Sequence, residues 1–279
     1  MGLFKKKPVY TPPVRNDRPV QLRYNVEKDT YREEATIIVD NKLQNKNGVP
    51  TEWLTFPKYF DYREEAAIPV NTPFGHYFKE LYHEGKCRVT KIYCGKYGTS
   101  DLEYCHGYVK GFVLPETVVE VGGFGQTHVP IIVPDGLRKV IGKGLYDYNG
   151  YLPGLNRIAN YYEGAWYFGN EKNPYHVLIC ADHEAEKCII HPNTVIIQED
   201  AFSRRYGNNQ YRNFLISSLV IPASVKYIGR QDSCNYITDI QFEEPKGWYS
   251  ILFSGYSIDG KIYGDATEVY QFCGGLKKK

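Results

Sequence analysis

The clearest pattern along the chain is the spacing of apolar residues around Pro222. Apolar residues lie six, three and one positions before this proline and three and six positions after it, and Gly229 follows directly. This spacing matches neither the helical period of about 3.6 residues nor the strict alternation of a strand. It predicts a short strand, a corner at the proline, a second extended segment and a turn at the glycine.

The same spacing recurs around two earlier prolines. Around Pro115 the matching residues are Val109, Phe112, Leu114, Val118, Val121 and Gly122. Around Pro134 they are Ile131, Val133, Leu137 and Val140, with the glycine one position late at Gly142. Three copies of one pattern in a single chain predict a repeat fold.

From about residue 86, apolar segments recur at intervals of about 20–23 residues, within the range of short leucine-rich repeats. We therefore predict a mainly β fold: a short leucine-rich-repeat-like solenoid whose coils contain a strand and a turn or short helix. Residues 155–158 are expected to be the strand of one coil. The side chains expected to point inward are Val89, Ile92, Val109, Phe112, Leu114, Leu155, Ile158, Ile216, Leu219, Ile221, Ile237, Ile240 and Phe242.

Two intervals are longer than the others, and each contains an insertion. Residues 159–187 are predicted to carry a β-hairpin, because aromatic and apolar runs flank the turn-forming pair Asn173-Pro174. Residues 204–212 are polar and are predicted to form a loop. Insertions in solenoids emerge on one face and often carry the binding function.

Composition divides the chain into four parts. A basic, proline-rich segment at 1–20 is expected to be an extended arm, since it has little apolar surface to bury. Residues 21–85 are rich in aromatic side chains and do not match the repeat, so we predict a cap or small subdomain that covers the first coil. The solenoid occupies 86–250, and a C-terminal cap with a basic tail occupies 251–279.

The repeat resembles the coils of the BspA-type leucine-rich repeat family. Residues 219–229 read Leu-Val-Ile-Pro-Ala-Ser-Val-Lys-Tyr-Ile-Gly, which is similar to the family's apolar strand, Ile-Pro, small polar pair, Val and Ile-Gly. Residues 191–203 resemble the variant that precedes an Ala-Phe-Ser turn, and residues 237–242 resemble the final coil. The chain departs from the family at Gln198, where glycine is usual, and at Arg204-Arg205.

The resemblance covers about residues 86–250. It implies a repeat scaffold from a family associated with protein binding and adhesion. Many members of that family are exported bacterial surface proteins.

Charge and hydropathy narrow the classes of partner. The formal net charge is +2 with balanced signs, so nothing indicates nucleic acid as a partner. No run approaches the ~20 apolar residues of a membrane span. The N-terminal residues lack the apolar segment of a secretory signal, so we expect a cytoplasmic location, with surface or virion association left open.

Seven scattered cysteines favour thiols in a reducing compartment. Two loose groups could hold a metal or form a Cys/His nucleophilic pair: Cys87, Cys94, Cys105 and His106, and Cys180, His183, Cys188 and His191. In the first group the gaps are wider than the two to about four residues of a zinc knuckle. We predict no metal and no cofactor.

The remaining candidate is a surface. If the apolar positions point inward, one sheet face carries Thr90, Lys91, Tyr93, Lys110, Val113, Asn156, Arg157, Ser217, Ser218, Val220, Thr238, Asp239 and Gln241. A basic and aromatic cluster that could bind an acidic or phosphorylated partner consists of Arg204, Arg205, Tyr206, Tyr211 and Arg212. The face is amphipathic without a sharp charge, which suits a protein partner better than DNA.

The sequence therefore predicts a non-enzymatic protein-interaction or scaffold module that uses the open sheet face and the inserted hairpin. Two alternatives stay open at this point. One is a metal- or thiol-dependent enzyme built on the cysteine and histidine groups, and the other is a component of a phage or cell-surface assembly. The partner and the oligomeric state do not follow from the sequence.

Overall fold

The structure, a computed structural model, describes residues 24–29, 34–39, 53–61, 86–94, 110–125, 127–141, 144–145, 155–182, 185, 187–202, 205–206, 210–211, 216–231, 237, 239–250 and 275–278. Within these residues the chain is mainly β, with several sheets and one four-residue helix, α1 (Leu155–Ile158). The predicted arm at 1–20 and most of the predicted C-terminal cap lie outside the described residues. No helix among the described residues is long and apolar enough to cross a membrane.

The strands of the N-terminal half form two sheets, and from β5 onward successive strands alternate between them. They are β1 (Tyr24–Asp29), β2 (Glu34–Val39), β3 (Trp53–Thr55), β4 (Tyr59–Asp61), β5 (Lys86–Cys94), β6 (Gly111–Val113), β7 (Glu120–Gly122), β8 (Ile131–Ile132) and β9 (Lys139–Ile141). One sheet has the order β1-β2-β5-β7-β9, with β4 also paired to β5, and the other has the order β3-β6-β8. In the first sheet the pairings β2-β5, β5-β7 and β7-β9 are parallel, whereas β1-β2 and β4-β5 are antiparallel. Both pairings in the second sheet are parallel.

The C-terminal half combines parallel strands with antiparallel hairpins. Its strands are β10 (Asn160–Tyr162), β11 (Ala165–Phe168), β12 (Val177–Ala181), β13 (Ile196–Ile197), β14 (Arg205–Tyr206), β15 (Gln210–Tyr211), β16 (Ser218–Ile221), β17 (Tyr227–Ile228), β18 (Asp239–Phe242), β19 (Trp248–Ser250) and β20 (Leu276–Lys278). A seven-stranded sheet has the order β10-β11-β12-β13-β17-β20-β19, and β14-β15 and β16-β18 form separate pairs. The β12-β13-β17 and β16-β18 pairings are parallel.

The strand registers agree with the spacing of the repeat. Phe112 of β6 lies beside Ile131 of β8, and Leu219 of β16 lies beside Ile240 of β18. These are the pairs that the sequence pattern equates, and all four side chains are buried. Parallel neighbours therefore bury equivalent positions against each other.

The prolines of the repeat stand at tight turns between the sheets. In each of three turns an N–H donates to the carbonyl of the proline three residues earlier, which is the hydrogen bond of a β-turn. The three bonds run from Val118 to Pro115 (3.1 Å), from Leu137 to Pro134 (3.0 Å) and from Val225 to Pro222 (3.1 Å). These bonds confirm the predicted corner at each proline. Proline has no backbone N–H to donate within a sheet, so a strand can end there at little energetic cost.

The central strands of the seven-stranded sheet, β12, β13 and β17, are buried on both faces. From β12, β13 and β17, the side chains of Val177, Ile179, Ile196 and Tyr227 belong to a core cluster shared with the N-terminal half. The alternate residues Leu178, Ile197 and Ile228 belong to a second cluster with Leu219, Ile221 and Ile240. Continuous apolar runs such as Val177–Ala181 fit a parallel strand that is covered on both sides.

Two local predictions are wrong. Residues 155–158 form helix α1 rather than a strand, and the buried Leu155 and half-buried Ile158 stand at a spacing that one helical turn also satisfies. The predicted loop at 204–212 contains the antiparallel pair β14-β15. Its Gly207-Asn208-Asn209 sequence, between two tyrosines, has the composition of a hairpin turn.

The hairpin predicted across Asn173-Pro174 is present as the antiparallel pairing of β11 with β12. An additional strand, β10, pairs with β11 through the two-residue turn Glu163-Gly164. Both turn residues have positive φ, 39° and 91°, as a type I′ hairpin turn requires. The insertion is therefore a three-stranded antiparallel unit, and it joins the parallel strands through β12.

Candidate interaction surfaces

The outward face of β16 and β18 carries five of the residues predicted from sequence. Ser217, Ser218, Val220, Asp239 and Gln241 are exposed, and Val220 has 50% of its surface open to solvent. The alternate residues Leu219, Ile221 and Ile240 are buried, and Phe242 is half-buried. The predicted orientation of these two strands is therefore confirmed.

The chemistry of this face is mixed. The register places Ser218 beside Asp239 and Val220 beside Gln241, so each pair combines side chains of different character. Asp239 is the one charged residue among the five, and the Gln241 amide lies 3.4 Å from its carboxylate. Such a surface offers one apolar contact surrounded by hydrogen-bonding groups, an arrangement common at protein interfaces.

The corresponding face of β3, β6 and β8 is more apolar. Trp53 is 41% exposed and Ile132 is 37% exposed, and the half-buried Val113 lies beside Ile132 in the register. The Trp53 ring lies over Gly111, where a Cβ atom would come within 2.4 Å of the ring. Lys110, which precedes the strand, is exposed as predicted.

Two of the predicted surface residues are buried. Thr90 and Tyr93 of β5 have almost no exposed surface, and Lys91 is half-buried. The Tyr93 hydroxyl donates to Glu120 at 2.7 Å, and Lys139 donates to the same carboxylate at 3.0 Å. Burial, together with Glu120, raises the pKa of Tyr93. The predicted outward position is wrong, because β5 is a central strand between β2 and β7 and its side chains are enclosed by those of its neighbours.

The other predicted residues divide into two groups. Arg157 is exposed on α1, which also contains Asn156. The register of β14 and β15 places Arg205 beside Tyr211, and Tyr206 lies on the same hairpin. Thr238, Arg204 and Arg212 lie outside the described residues.

The inserted hairpin presents an aromatic surface that sequence reasoning located only approximately. Tyr161 is 46% exposed, and its ring centroid lies 4.6 Å from that of Trp166 on the neighbouring strand. The Tyr161 hydroxyl is hydrogen-bonded to Asp182, and burial followed by this carboxylate raises its pKa. An exposed tyrosine on a hydrogen-bonded β-strand is typical of protein contact surfaces.

Two open clefts flank this hairpin. A cleft of about 770 Å³ is lined by Tyr161, Tyr162, Glu163, Gly164, Ala185 and Lys187. A second, of about 730 Å³, is lined by Leu114, Glu116, Ile132, Val133, Pro134, Asp135, Gly136, Asn160, Gly169, Asn170, Glu171, Lys172 and Pro174. In the second cleft the Asn170 amide donates to Asp135 at 2.7 Å, so these two side chains already bind each other.

The cysteine and histidine groups do not form a metal centre in the described part of the chain. No group of three or more His, Cys, Asp or Glu side chains stands in position to hold a metal ion among the described residues. Cys180 and Cys188 are buried, which raises the pKa of both thiols, that of Cys188 to about 12. At neutral pH both thiols are therefore protonated and poor nucleophiles. Cys105, His106 and His183 lie outside the described residues.

Comparison with protein families, curated proteins and solved structures finds no match to this chain.

Proposed function

We propose that the chain is a non-enzymatic protein-interaction or scaffold module. The observation that carries this proposal is the alternation on β16 and β18. Leu219, Ile221 and Ile240 enter the core, while Val220 stands exposed in a polar surrounding. An exposed valine between hydrogen-bonding neighbours contributes nothing to the core and is suited to contact with a second protein.

The architecture we propose for this module is a short leucine-rich-repeat-like solenoid of the BspA type. Three features support it: parallel pairing of successive coils, a recurring proline turn, and registers that match the sequence repeat. Stacked coils of this kind leave one sheet face open along their length. The inserted hairpin, with exposed Tyr161, adds a second contact region beside that face.

An exposed valine elsewhere provides a matched test of this function. Val220→Asp is expected to reduce recovery of specific partners in a pull-down read by mass spectrometry, because a charge replaces the apolar centre of the contact. Val119→Asp changes a valine that is 40% exposed and lies outside the proposed face, so it is expected to retain the partners. Equal recovery with both variants would contradict the proposed contact surface.

A further inference from the structure

Two histidines lie where the loop that connects β11 to β12 meets the turn that precedes β13. His176 belongs to the loop and His191 to the turn. His176 is buried, and its Nε2 lies 3.0 Å from the Leu137 carbonyl oxygen. Its Nδ1 lies 3.4 Å from the side-chain nitrogen of Asn173. A carbonyl only accepts, so Nε2 carries the proton and Nδ1 is left to accept.

The orientation of the Asn173 amide is fixed by its other partners. Its Oδ1 accepts the Tyr175 N–H at 3.2 Å, and its Nδ2 donates to the Asn193 carbonyl at 2.9 Å. Rotation of the amide would place donor against donor and acceptor against acceptor. Asn173 therefore presents an N–H group to His176 and has no alternative that keeps its other two bonds.

His191 has the same requirement at the other side of the junction. Its Nδ1 accepts the backbone N–H of Asn193 at 3.1 Å, and a backbone N–H cannot reverse its role. The ring stacks on Tyr175 with 4.0 Å between centroids and meets the edge of Tyr162. Each histidine thus accepts a hydrogen bond at Nδ1 from a residue of its own segment. The hydrogen bond from the Asn173 amide to the Asn193 carbonyl joins the two segments.

The surrounding groups favour neutral imidazoles. Burial lowers the pKa of His176, and the hydrogen bond to the Leu137 carbonyl opposes this shift without cancelling it. Of the charged groups that face the ring, Arg138 lowers the pKa further and Asp135 raises it. Burial also lowers the pKa of His191, whose titratable neighbours are Tyr162, Tyr175 and Tyr167.

We propose that this junction is an acid-sensitive latch. Protonation of His176 or His191 places an N–H group against the donor that Asn173 or Asn193 presents, and the resulting displacement breaks the Asn173–Asn193 hydrogen bond that holds the loop to the turn. The open junction can take up a proton near the ordinary histidine pKa of about 6.5, whereas the closed junction resists it. The latch is therefore closed above that pH. Below it, the equilibrium constant for opening rises by up to about tenfold per pH unit for each histidine.

Nuclear magnetic resonance on the full chain tests this proposal between pH 7.5 and 5. The imidazole signals report the titration of each histidine. Hydrogen exchange, corrected for its intrinsic pH dependence, measures the protection of the backbone amides of Asn193 and Val195. We expect His176 to stay neutral through pH 6.5. Below it, we expect the two amides to lose up to about tenfold in protection per pH unit for each histidine, and so up to about a hundredfold when both take up a proton. Titration of His176 near pH 6.5 with both amides still protected would overturn the latch.

Glutamine variants separate the latch from general acid destabilisation. His176→Gln keeps a side-chain N–H for Leu137 but cannot gain a proton. Its amide protection is therefore expected to fall less per pH unit than that of the unmodified chain, whatever the protection at pH 7.5. The same smaller decline is expected for His191→Gln. The control His128→Asn removes an imidazole outside the junction, at a residue with φ of 54° that asparagine tolerates. The latch is wrong if both glutamine variants decline as steeply as this control.

Discussion

Replacing Ile221 with alanine is expected to lower the free energy of unfolding by about 2–5 kcal/mol. Ile221 is fully buried in the second core cluster, next to the turn that begins at Pro222. Truncation removes apolar contacts and leaves a cavity that the surrounding strands fill only partly. Urea denaturation monitored by circular dichroism measures the loss.

The adjacent residue supplies the control. Val220→Ala removes methyl groups that are half exposed, so the free energy of unfolding is expected to change by less than about 0.5 kcal/mol. The two substitutions are neighbours on one strand and differ mainly in the direction of the side chain. Equal destabilisation would show that the orientation assigned to β16 is wrong.

Replacing Gln198 with leucine is expected to cost about 2–6 kcal/mol, because two buried backbone groups would lose a hydrogen-bonding partner at about 1–3 kcal/mol each. The Gln198 side chain is buried, accepts the Leu145 N–H at 3.1 Å and donates to the Ile179 carbonyl at 2.9 Å. Leucine has a similar volume but satisfies neither group. Thermal and urea unfolding give the measurement.

Gln241→Leu is the matched substitution for this test, since Gln241 is exposed on the outward face of β18. It is expected to change the free energy of unfolding by less than about 0.5 kcal/mol. If Gln198→Leu and Gln241→Leu had the same small effect, water would satisfy the two backbone groups and the buried amide would contribute little.

Short-range spacing predicted much of the parallel core. The pattern around Pro222 equated Leu219 with Ile240 and Phe112 with Ile131, and these residues are paired neighbours. Such predictions succeed because each copy of the spacing forms a similar strand and proline turn. Apolar residues three apart at 155–158 were ambiguous, because one helical turn and an extended segment both bury them.

Contacts between distant segments could not be read from the repeat. Tyr93 is buried because β2 and β7 flank β5, and β2 lies in a region without the repeat spacing. Gln198 was visible in the sequence as a departure from glycine, but its role depends on the backbone at Leu145 and Ile179. The apposition of His176 and His191 likewise depends on the inserted hairpin, which brings two turns together.

Burial of the central strands of the seven-stranded sheet on both faces has a consequence for cooperativity. Strands β12, β13 and β17 contribute side chains to both core clusters. If one cluster unfolds, these strands lose the packing on one face, and the other cluster loses part of the residues that enclose it. Loss of β16 and β18 would uncover one face of these strands, and loss of the N-terminal strands would uncover the opposite face. The two halves are therefore expected to unfold in a single transition, and a fragment ending near β12 would expose an apolar surface prone to aggregation.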